Sequence, residues 1–542
     1  MGVKRKIALF TALSLILSLF VLTGCEEDDG KGYIFGYDIS ANPGSLDPQC
    51  ADDRQSFLLI NVLFEGLLRA DSDGNITCAG AKSYEVSDDG LTYTFELNND
   101  RYWVDVNEFE APCTAQDYVY GFTRLFLPET RAPHAADYFC IKNSEKISSG
   151  EITDYSKLGV KAEGKYKLII ELEYQNPMFL SLLAAAPAMP CNEEYFLAAQ
   201  GKYGLSAKTT PSNGAFFLKS WNYDKWSSDN NNLVLRYSEK YSEHDEVYPL
   251  GLNFFIDEPA NFESDFLDGT SQNIVLTGES AKKMADRGFS YDEYSTAVYG
   301  IMMNTKSSVF KDMSLRYALL YASDNNGIEL PFGYSSASFA VPVAVKTENL
   351  PYRVENESAF IKPDEVKAQS LYQKAALTAD KEELHSVTVL AVENRDEDII
   401  AAVQDIFQQW QAKLGFYCTV VYLSESEYNA AVKAGEYSLA VVRLTGESNR
   451  PDSYLSAFAD SGYKYSAMSG EYSQLLDSAK NAATVEQSYD YCRQAEKLLL
   501  CDGRFIPVAF ASEYFFSAKD CSGMLYNPFS GTIDYTKAIC IE

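Results

Sequence analysis

Short strands and amphipathic helices alternate in the last third of the chain, and this alternation is the strongest constraint on the fold. Strands are predicted at 387–392, 417–423 and 437–444, and helices at 396–414 and 424–434 lie between them. Strands that are separated by helices pair in parallel through right-handed crossovers. The sequence therefore predicts an α/β domain with a largely parallel sheet in the C-terminal half.

Several helix ends are marked by residues that cap or stop a helix. Gly415 stops the first helix of the alternation, because glycine adopts the left-handed conformation without strain. Ser424 and Glu427 have the spacing of a capping box, and Thr114 is placed to cap a helix in the N-terminal half. Residues 56–68 carry an apolar face at helical spacing, which predicts a further helix. The N-terminal half thus mixes strands and helices.

The start of the chain has the pattern of an export signal. Lys4-Arg5-Lys6 precedes an apolar run from Ile7 to Leu22, which is shorter than the roughly 20 residues that a spanning helix needs. The run ends in Leu22-Thr23-Gly24-Cys25, which resembles a bacterial lipobox. In signals of that kind the cysteine thiol receives a diacylglyceryl group before cleavage.

We therefore expect a signal peptide at 1–24, a lipid on Cys25 and a solvated tether over 25–32. The alternative is an uncleaved anchor helix with an incidental cysteine. The expected location is outside the cytoplasm, at the outer face of the cell membrane, to which the lipid anchors the protein.

The charge of the chain excludes one class of partner. The formal net charge is −31, and a surface this acidic repels a phosphate backbone, so nucleic acid is not expected to bind. Only three histidines are present and none are neighbours, which argues against a histidine-rich metal or catalytic centre. Nucleophile-elbow, phosphate-loop and zinc-protease motifs are absent, so neither catalysis nor a cofactor or metal is expected.

The sequence leaves open whether the cysteines form disulfides. The chain has 11 cysteines, none of them in a C-x-x-C pair, which disfavours zinc ribbons and thioredoxin-like motifs. An exported protein permits disulfides, and buried thiols are the alternative.

Seven short motifs follow one another along the chain and carry a resemblance to a known family. They are LDP at 46–48, FEGLL at 64–68, YEVSDDGLTYTF at 84–95, PCTAQDYVYGFTR at 112–124, NGAF at 213–216, LRYAL at 315–319 and NP at 527–528. Together they resemble the solute-binding proteins of family 5, the oligopeptide- and dipeptide-binding components of ABC importers. The resemblance covers essentially the whole chain after the signal peptide.

The resemblance implies an α/β, two-lobed periplasmic-binding-protein-like (type II) fold with an additional inserted N-terminal α+β domain. Two lobes would close on a ligand about a hinge. The first lobe would comprise 33–70, 205–297 and 505–542, the inserted domain 71–204, and the second lobe 298–504.

The resemblance also implies binding residues. In peptide-binding members an aspartate pairs with the α-amine of the peptide, and Glu447 occupies that position here. The residues before it, up to Thr445, would meet the peptide backbone as a strand does. Arg450 replaces an acidic residue of the family and Arg443 a small one. An arginine in the cleft would pair with a ligand carboxylate or phosphate, or be satisfied by Glu447 itself.

The segment 131–138 corresponds to a family stretch that lends an aromatic side chain to the cleft. Tyr138 or His134 would serve in this role, and a buried structural role is the alternative for each.

The expected function is that of a monomeric importer receptor, which captures a short peptide between two lobes and delivers it to permease subunits in the membrane. Three alternatives remain open at this point. One is an anionic or glycan-like ligand, one is the sensing of a peptide pheromone without import, and one is a secreted hydrolase.

Overall fold

The computed structural model describes most of the chain. It covers residues 31–541 except 72–74, 228–229, 348–349, 355–356, 380, 396, 447, 460–464, 466–467 and 469. The predicted signal peptide, Cys25 and Glu447 lie outside the described residues. Among the helices that are described, none combines the length and apolarity that a membrane crossing requires.

Two long antiparallel strands, Ser290–Met303 and Phe505–Ser517, run through the middle of a seven-stranded sheet. Asn273–Thr277 pairs with the last residues of Phe505–Ser517. Leu439–Thr445 pairs with the last residues of Ser290–Met303, at the opposite end of the pair. We name the two long strands the crossing strands, because as a pair they run from Asn273–Thr277 at one end to Leu439–Thr445 at the other.

The crossing strands pass from one hydrophobic core to another. Phe515 belongs to the core that contains the N-terminal sheet and helices. Phe505 and Phe510 belong to a core on one face of the C-terminal half, and Val508 to a core on its other face. The chain therefore forms two α/β lobes that share continuous strands.

The alternation predicted for the C-terminal half is confirmed. Val387–Val392 pairs in parallel with both Leu439–Thr445 and Cys418–Leu423, and the helices Glu397–Leu414 and Glu425–Ala434 connect them. The prediction of a largely parallel sheet is wrong for the sheet as a whole. The crossing strands enter it antiparallel from distant parts of the chain, as do Asn273–Thr277 and Tyr334–Ser336.

The N-terminal part has two smaller sheets. A four-stranded sheet has the order Ile34–Ile39, Gly251–Ile256, Asn232–Tyr237 and Phe216–Asn222, and only its first pair is parallel. An antiparallel sheet has the order Ala81–Val86, Thr92–Leu97, Lys167–Glu171 and Val160–Ala162. The helix Ala115–Phe126 packs against the second sheet and begins with the capping box of Thr114 and Asp117. This second unit is the α+β part of the fold.

The remaining elements connect these units. The strands are Leu68–Ala70, Ile76–Cys78, Tyr102–Val104, Glu110–Pro112, Lys346–Thr347, Leu350–Pro351, Cys521–Ser522, Leu525–Asn527, Thr532–Asp534 and Ile539–Cys540. The α-helices are Arg54–Leu63, Ser144–Ser148, Phe179–Leu183, Glu193–Ala198, Phe262–Asp268, Gly278–Asp286, Met313–Ala322, Glu365–Ala376, Lys381–His385, Pro451–Leu455, Glu471–Lys480 and Val485–Cys501.

The helix predicted over 56–68 is displaced, since it spans Arg54–Leu63. The backbone leaves the helix at Phe64, which is extended. The side chain of Asn213 explains this end, because its Oδ1 accepts the backbone N–H of Glu65 at 3.0 Å and its Nδ2 donates to the Glu65 carbonyl at 2.8 Å. A distant side chain thus takes hydrogen bonds that a longer helix would have made itself.

A buried ion pair links two of the family-like motifs. Asp47 accepts hydrogen bonds from Arg124 at 3.1 and 2.6 Å, one to each carboxylate oxygen. Gln49 accepts a third bond from Arg124 at 2.7 Å, and the guanidinium lies 3.9 Å from the ring centre of Phe196. The LDP segment is thereby fixed to the helix Ala115–Phe126.

The open question about the cysteines has a partial answer. Cys521 and Cys540 form a disulfide across a two-stranded ladder near the C-terminus. The other cysteines in the described residues are free, and four of these thiols are buried.

Asp38 is a buried carboxyl group whose pKa lies far from its ordinary value. The residue is 6% exposed, its Oδ2 accepts the hydroxyl of Ser271, and its Oδ1 has no hydrogen-bond partner within the described chain. Burial raises the pKa of Asp38 to about 6, the Ser271 bond opposes this, and the carboxylates of Asp265 and Asp257 add to it.

We expect Asp38→Asn to stabilise the protein more at pH 7 than at pH 4. Between its unfolded and folded pKa values the folded wild type retains a proton that the unfolded chain loses, so its stability falls as pH rises through this window. Urea denaturation of both proteins from pH 4 to pH 8 measures the difference, which should grow up to about pH 6 and then stay constant. A pH-independent difference contradicts the prediction. The control is Asp154→Asn, since a hydrogen bond from Ser156 lowers the pKa of that exposed carboxyl group.

Candidate ligand-binding site

The strand Leu439–Thr445 carries two of the predicted site residues to the crossing strands. Arg443 lies opposite Tyr299 in the ladder and is half-buried. Thr445 ends the strand opposite Ala297 and is exposed. Glu447 follows the end of this strand by two residues in the sequence.

A group of polar side chains from both lobes meets beside this strand. Tyr526 donates its hydroxyl to Glu513 Oε1 at 2.9 Å, and Arg54 Nη2 donates to the Tyr526 hydroxyl at 2.9 Å. Glu513 lies on a crossing strand, the charge of Arg443 lowers the pKa of its carboxyl group, and the charge of Glu513 in turn raises the pKa of Tyr37. We name Tyr37, Arg54, Arg443, Glu513 and Tyr526 the junction cluster.

Burial and nearby charges have opposite effects on the pKa of Glu513. Burial raises the pKa of its carboxyl group, and Arg54, the Tyr526 hydrogen bond and Arg443 each lower it, but burial prevails. Burial also raises the pKa of Tyr37 to about 12, so its hydroxyl stays protonated at neutral pH. The junction cluster therefore offers two guanidinium groups and two neutral hydroxyls around one acid.

Arg450 does not point to an open site. Its Nε donates to Asp452 Oδ1 at 2.9 Å, and a second bond joins Nη2 to Asp452 Oδ2. Burial lowers the pKa of Arg450, but the charge of Asp452, its hydrogen bond and the more distant charge of Asp137 outweigh it. Arg450 is thus satisfied by Asp452 and lies near the segment 131–138.

Tyr138 and His134 occupy different environments. Tyr138 is 1% exposed, its hydroxyl donates to the Leu182 carbonyl at 2.8 Å, and it belongs to the N-terminal core. This is the buried structural role that was the alternative for Tyr138. The His134 ring lies 5.5 Å from that of Phe57, and its Nδ1 lies 3.3 Å from Asp137 Oδ2. His134 is half-buried and lies beside Phe57 and Asp137, whereas Tyr138 is buried in the N-terminal core.

Four members of the junction cluster were not expected from the sequence. Tyr37, Arg54, Glu513 and Tyr526 come from segments near the two ends of the chain, and none belongs to a motif with a chemical signature. Only the fold brings them together, because Glu513 lies on a strand that both lobes share.

A cavity of about 270 Å³ has in its wall Leu525 and Asn527, the two chain neighbours of Tyr526. Arg69, Glu243, Asp534 and Lys537 contribute to its wall, and none of the predicted site residues does. Within the described residues, no group of three or more His, Cys, Asp or Glu side chains is arranged to hold a metal ion.

Two α/β lobes that share their central strands, with polar side chains converging between them, define a two-lobed ligand-binding protein. The family model of bacterial extracellular solute-binding proteins, family 5, matches residues 75–466. The chain belongs to this family.

Known relatives match nearly the full length of the chain. The oligopeptide-binding protein OppA of Bacillus subtilis is 24% identical and covers 95% of this chain and 94% of its own. The dipeptide-binding protein DppE of the same species is also 24% identical and covers 97% of this chain and 98% of its own. The structure of Listeria monocytogenes OppA bound to peptide has a TM-score of 0.67 at 22% identity and covers 94% of this chain and 99% of its own. These relatives are named as binding proteins rather than enzymes, and the structural match shows the fold.

Proposed function

We propose that this protein is the peptide receptor of an ABC importer, which captures short peptides between its lobes and delivers them to permease subunits. The observation that carries the proposal is the junction cluster, in which side chains from both lobes meet at shared strands. In a member of family 5 whose full-length relatives are named for oligopeptides and dipeptides, such a meeting place suits a ligand enclosed by both lobes. The function requires no chemical step.

The division into lobes follows from the same proposal. The first lobe would comprise 33–70, 205–297 and 505–542, the inserted domain 71–204 and the second lobe 298–504. The boundary between 297 and 298 falls within Ser290–Met303, and Phe505–Ser517 begins at the boundary after 504, so bending at these two places is the motion that would open the cleft.

We propose further that the protein is lipid-anchored and works as a monomer. Removal of residues 1–24 would leave Cys25 as the acylated N-terminus, and 25–32 as the tether to the outer face of the membrane.

In the peptide site, Thr445 would present backbone groups to the ligand, and Glu447 would pair with its α-amine. An ammonium that lobe closure removes from water needs a partner of opposite charge. His134 and Arg450 would line the same side of the cleft, with the Arg450 charge already engaged by Asp452.

The first test is native mass spectrometry of gently purified protein, followed by denaturation and analysis of released molecules. We expect a heterogeneous set of short peptides. A single non-peptide mass would show that the ligand is not a peptide. An empty protein that peptide pools do not stabilise would contradict the proposed role in peptide transport.

A variant then tests the amine site. We expect Glu447→Ala to weaken binding of peptides with free amino termini by about 2 kcal/mol or more, because the ligand ammonium loses its partner. Titration calorimetry with free and N-acetylated peptides measures the effect, which should vanish for acetylated peptides. Glu436→Ala is the matched control, since Glu436 is exposed before the start of Leu439–Thr445. Equal binding by both variants contradicts the role of Glu447.

A further inference from the structure

An exposed tryptophan lies on a turn of the first lobe. The side chain of Trp226 is 85% exposed, whereas the three other tryptophans of the chain are buried or half-buried. Tyr223, three residues earlier, is 49% exposed. We name residues 223–227 the Trp226 turn. Tryptophan has a large and mostly apolar side chain, and such side chains are enriched on surfaces that another molecule covers.

The Trp226 turn is held by its own hydrogen bonds. The backbone N–H of Trp226 donates to Asp224 Oδ1 at 2.9 Å, and the backbone N–H of Asp224 donates to Asn231 Oδ1 at 2.8 Å. Asn231 Nδ2 donates in turn to the carbonyls of Asp224 and Ser227 at 3.2 and 2.6 Å. Lys225 Nζ lies 4.6 Å from the centre of the Trp226 ring. The turn thus presents the indole in one arrangement, so little conformational entropy is lost when a partner covers it.

The register of the four-stranded sheet places the Trp226 turn at the carboxyl end of Ile34–Ile39. That strand pairs in parallel with Gly251–Ile256, which pairs antiparallel with Asn232–Tyr237. The turn precedes Asn232–Tyr237, whose first residue lies opposite Phe255. The turn and the carboxyl end of Ile34–Ile39 therefore share one edge of the sheet. The start of Ile34–Ile39, which follows the proposed tether, lies at the other edge.

The edge that carries the Trp226 turn also leads to the junction cluster. Trp221 Nε1 donates to Asn42 Oδ1 at 2.8 Å. Asn42 belongs to the segment that connects Ile34–Ile39 to the helix Arg54–Leu63, and this helix begins with Arg54 of the junction cluster. A ligand enclosed at the junction cluster reaches a permease only through the open side of the cleft, so the permease has to contact edges of the lobes that lead to this cluster.

Acidic side chains accompany the Trp226 turn. The loop after Gly251–Ile256 lies beside it, since the Ile256 N–H donates to the Asn231 carbonyl at 2.9 Å. In the described parts of the two loops, Asp224, Asp257 and Glu258 stand against the single ammonium group of Lys225. A surface of this charge repels anionic lipid headgroups and attracts a protein surface that carries basic groups.

We propose that the Trp226 turn docks this protein on a permease subunit, which receives the indole in a pocket flanked by basic side chains. The proposal rests on the proposed function and adds to it the surface that meets the transporter. Tryptophan is among the residues that contribute most to the binding energy of a protein interface when it fills a pocket of the partner. The acids beside it orient the two proteins as they meet.

The test measures transport and peptide binding separately. Cells of the source strain that lack the gene are complemented with the wild type or a variant, and their uptake of a radiolabelled pool of short peptides is compared with that of cells without the gene. Thermal-shift titration gives the apparent affinity of each purified protein for the same pool. We expect Trp226→Ala to lower uptake about 10-fold or more and to leave the peptide affinity unchanged. Trp226→Phe should keep part of the uptake, because a phenyl ring fills part of the same pocket.

Two further variants locate the effect. Tyr417→Ala removes an aromatic side chain that is 53% exposed just before the start of Cys418–Leu423 in the second lobe, and it should keep full uptake. Glu258→Lys reverses a charge beside the Trp226 turn and should lower uptake without a change in peptide affinity. Unchanged uptake in Glu258→Lys contradicts a basic partner surface. Thermal denaturation checks that the variants are folded.

The outcomes separate this proposal from the proposed function. Wild-type uptake in Trp226→Ala overturns the docking role, as does a loss of uptake that an equal loss of peptide affinity accompanies. Co-sedimentation with vesicles of phosphatidylcholine and phosphatidylglycerol tests a lipid surface as the partner, and vesicle binding that Trp226→Ala loses overturns the permease in that role. A wild-type protein that binds no peptide, or that raises uptake no further than cells without the gene, overturns the proposed function itself.

Discussion

Asp47→Ala is expected to lower the free energy of unfolding by about 3–5 kcal/mol, because it leaves the buried guanidinium of Arg124 without its counter-ion. Asp47 is 5% exposed and Arg124 is 3% exposed, so water cannot replace the lost carboxylate. Gln49 retains one hydrogen bond to Arg124, but an amide oxygen carries no charge. Urea denaturation at pH 7 measures the loss.

Two further variants show that the cost comes from the unpaired charge. Arg124→Leu in the Asp47→Ala background should recover part of the stability, since it removes the buried charge as well. Lys142→Ala disrupts the more exposed pair with Glu171, and its denaturation midpoint should stay close to that of the wild type. A loss on Asp47→Ala no larger than that of Lys142→Ala contradicts the prediction.

Glu496→Ala should destabilise the second lobe by a similar amount, about 3–5 kcal/mol. The Glu496 side chain is 0% exposed and pairs with Arg353. The same carboxylate accepts the backbone N–H groups of Ala340 and Val341 at 2.8 and 3.1 Å and the hydroxyl of Tyr352 at 3.2 Å. Alanine leaves three donors without an acceptor, and Arg353 keeps only the longer contacts, at 3.3 Å, with Glu357 and the Val341 carbonyl.

The loss of stability in Glu496→Ala should be concentrated in the segments that contact Glu496. Hydrogen exchange of the variant should rise first at 339–353 and in the helix Val485–Cys501, which carries Glu496. The control is Glu357→Ala. Glu357 also contacts Arg353, at 3.3 Å, but its side chain is 18% exposed and accepts none of the Ala340, Val341 and Tyr352 bonds, so a much smaller loss is expected. Equal losses for the two variants would argue against a special role of Glu496.

Local patterns predicted the elements that are stabilised by their own residues. The helix Glu425–Ala434 begins at the capping box of Ser424 and Glu427 and ends at Gly435, all within one short stretch. The parallel strands around it also follow from apolar runs that the sequence displays. The helix Arg54–Leu63 ends earlier than its apolar pattern because Asn213, far away in the chain, binds the backbone at Glu65.

The crossing strands and the junction cluster could not be found in the same way. Ser290–Met303 begins with exposed polar residues and becomes apolar only toward its end, so no single period marks it as one strand. Arg443 was expected at the site from the family resemblance. Its neighbours Arg54, Glu513 and Tyr526 come from segments whose proximity depends on the completed sheet.

The position of the crossing strands in the chain determines when the seven-stranded sheet can be completed during synthesis. Phe505–Ser517 lies between Asn273–Thr277 and Ser290–Met303, so its neighbours lack their shared partner until the last part of the chain has been made. The seven-stranded sheet therefore stays incomplete during most of synthesis. A sheet that is completed only by a strand near the C-terminus stays unfinished while the chain is being translated, and an unfinished chain can be threaded through a translocation channel.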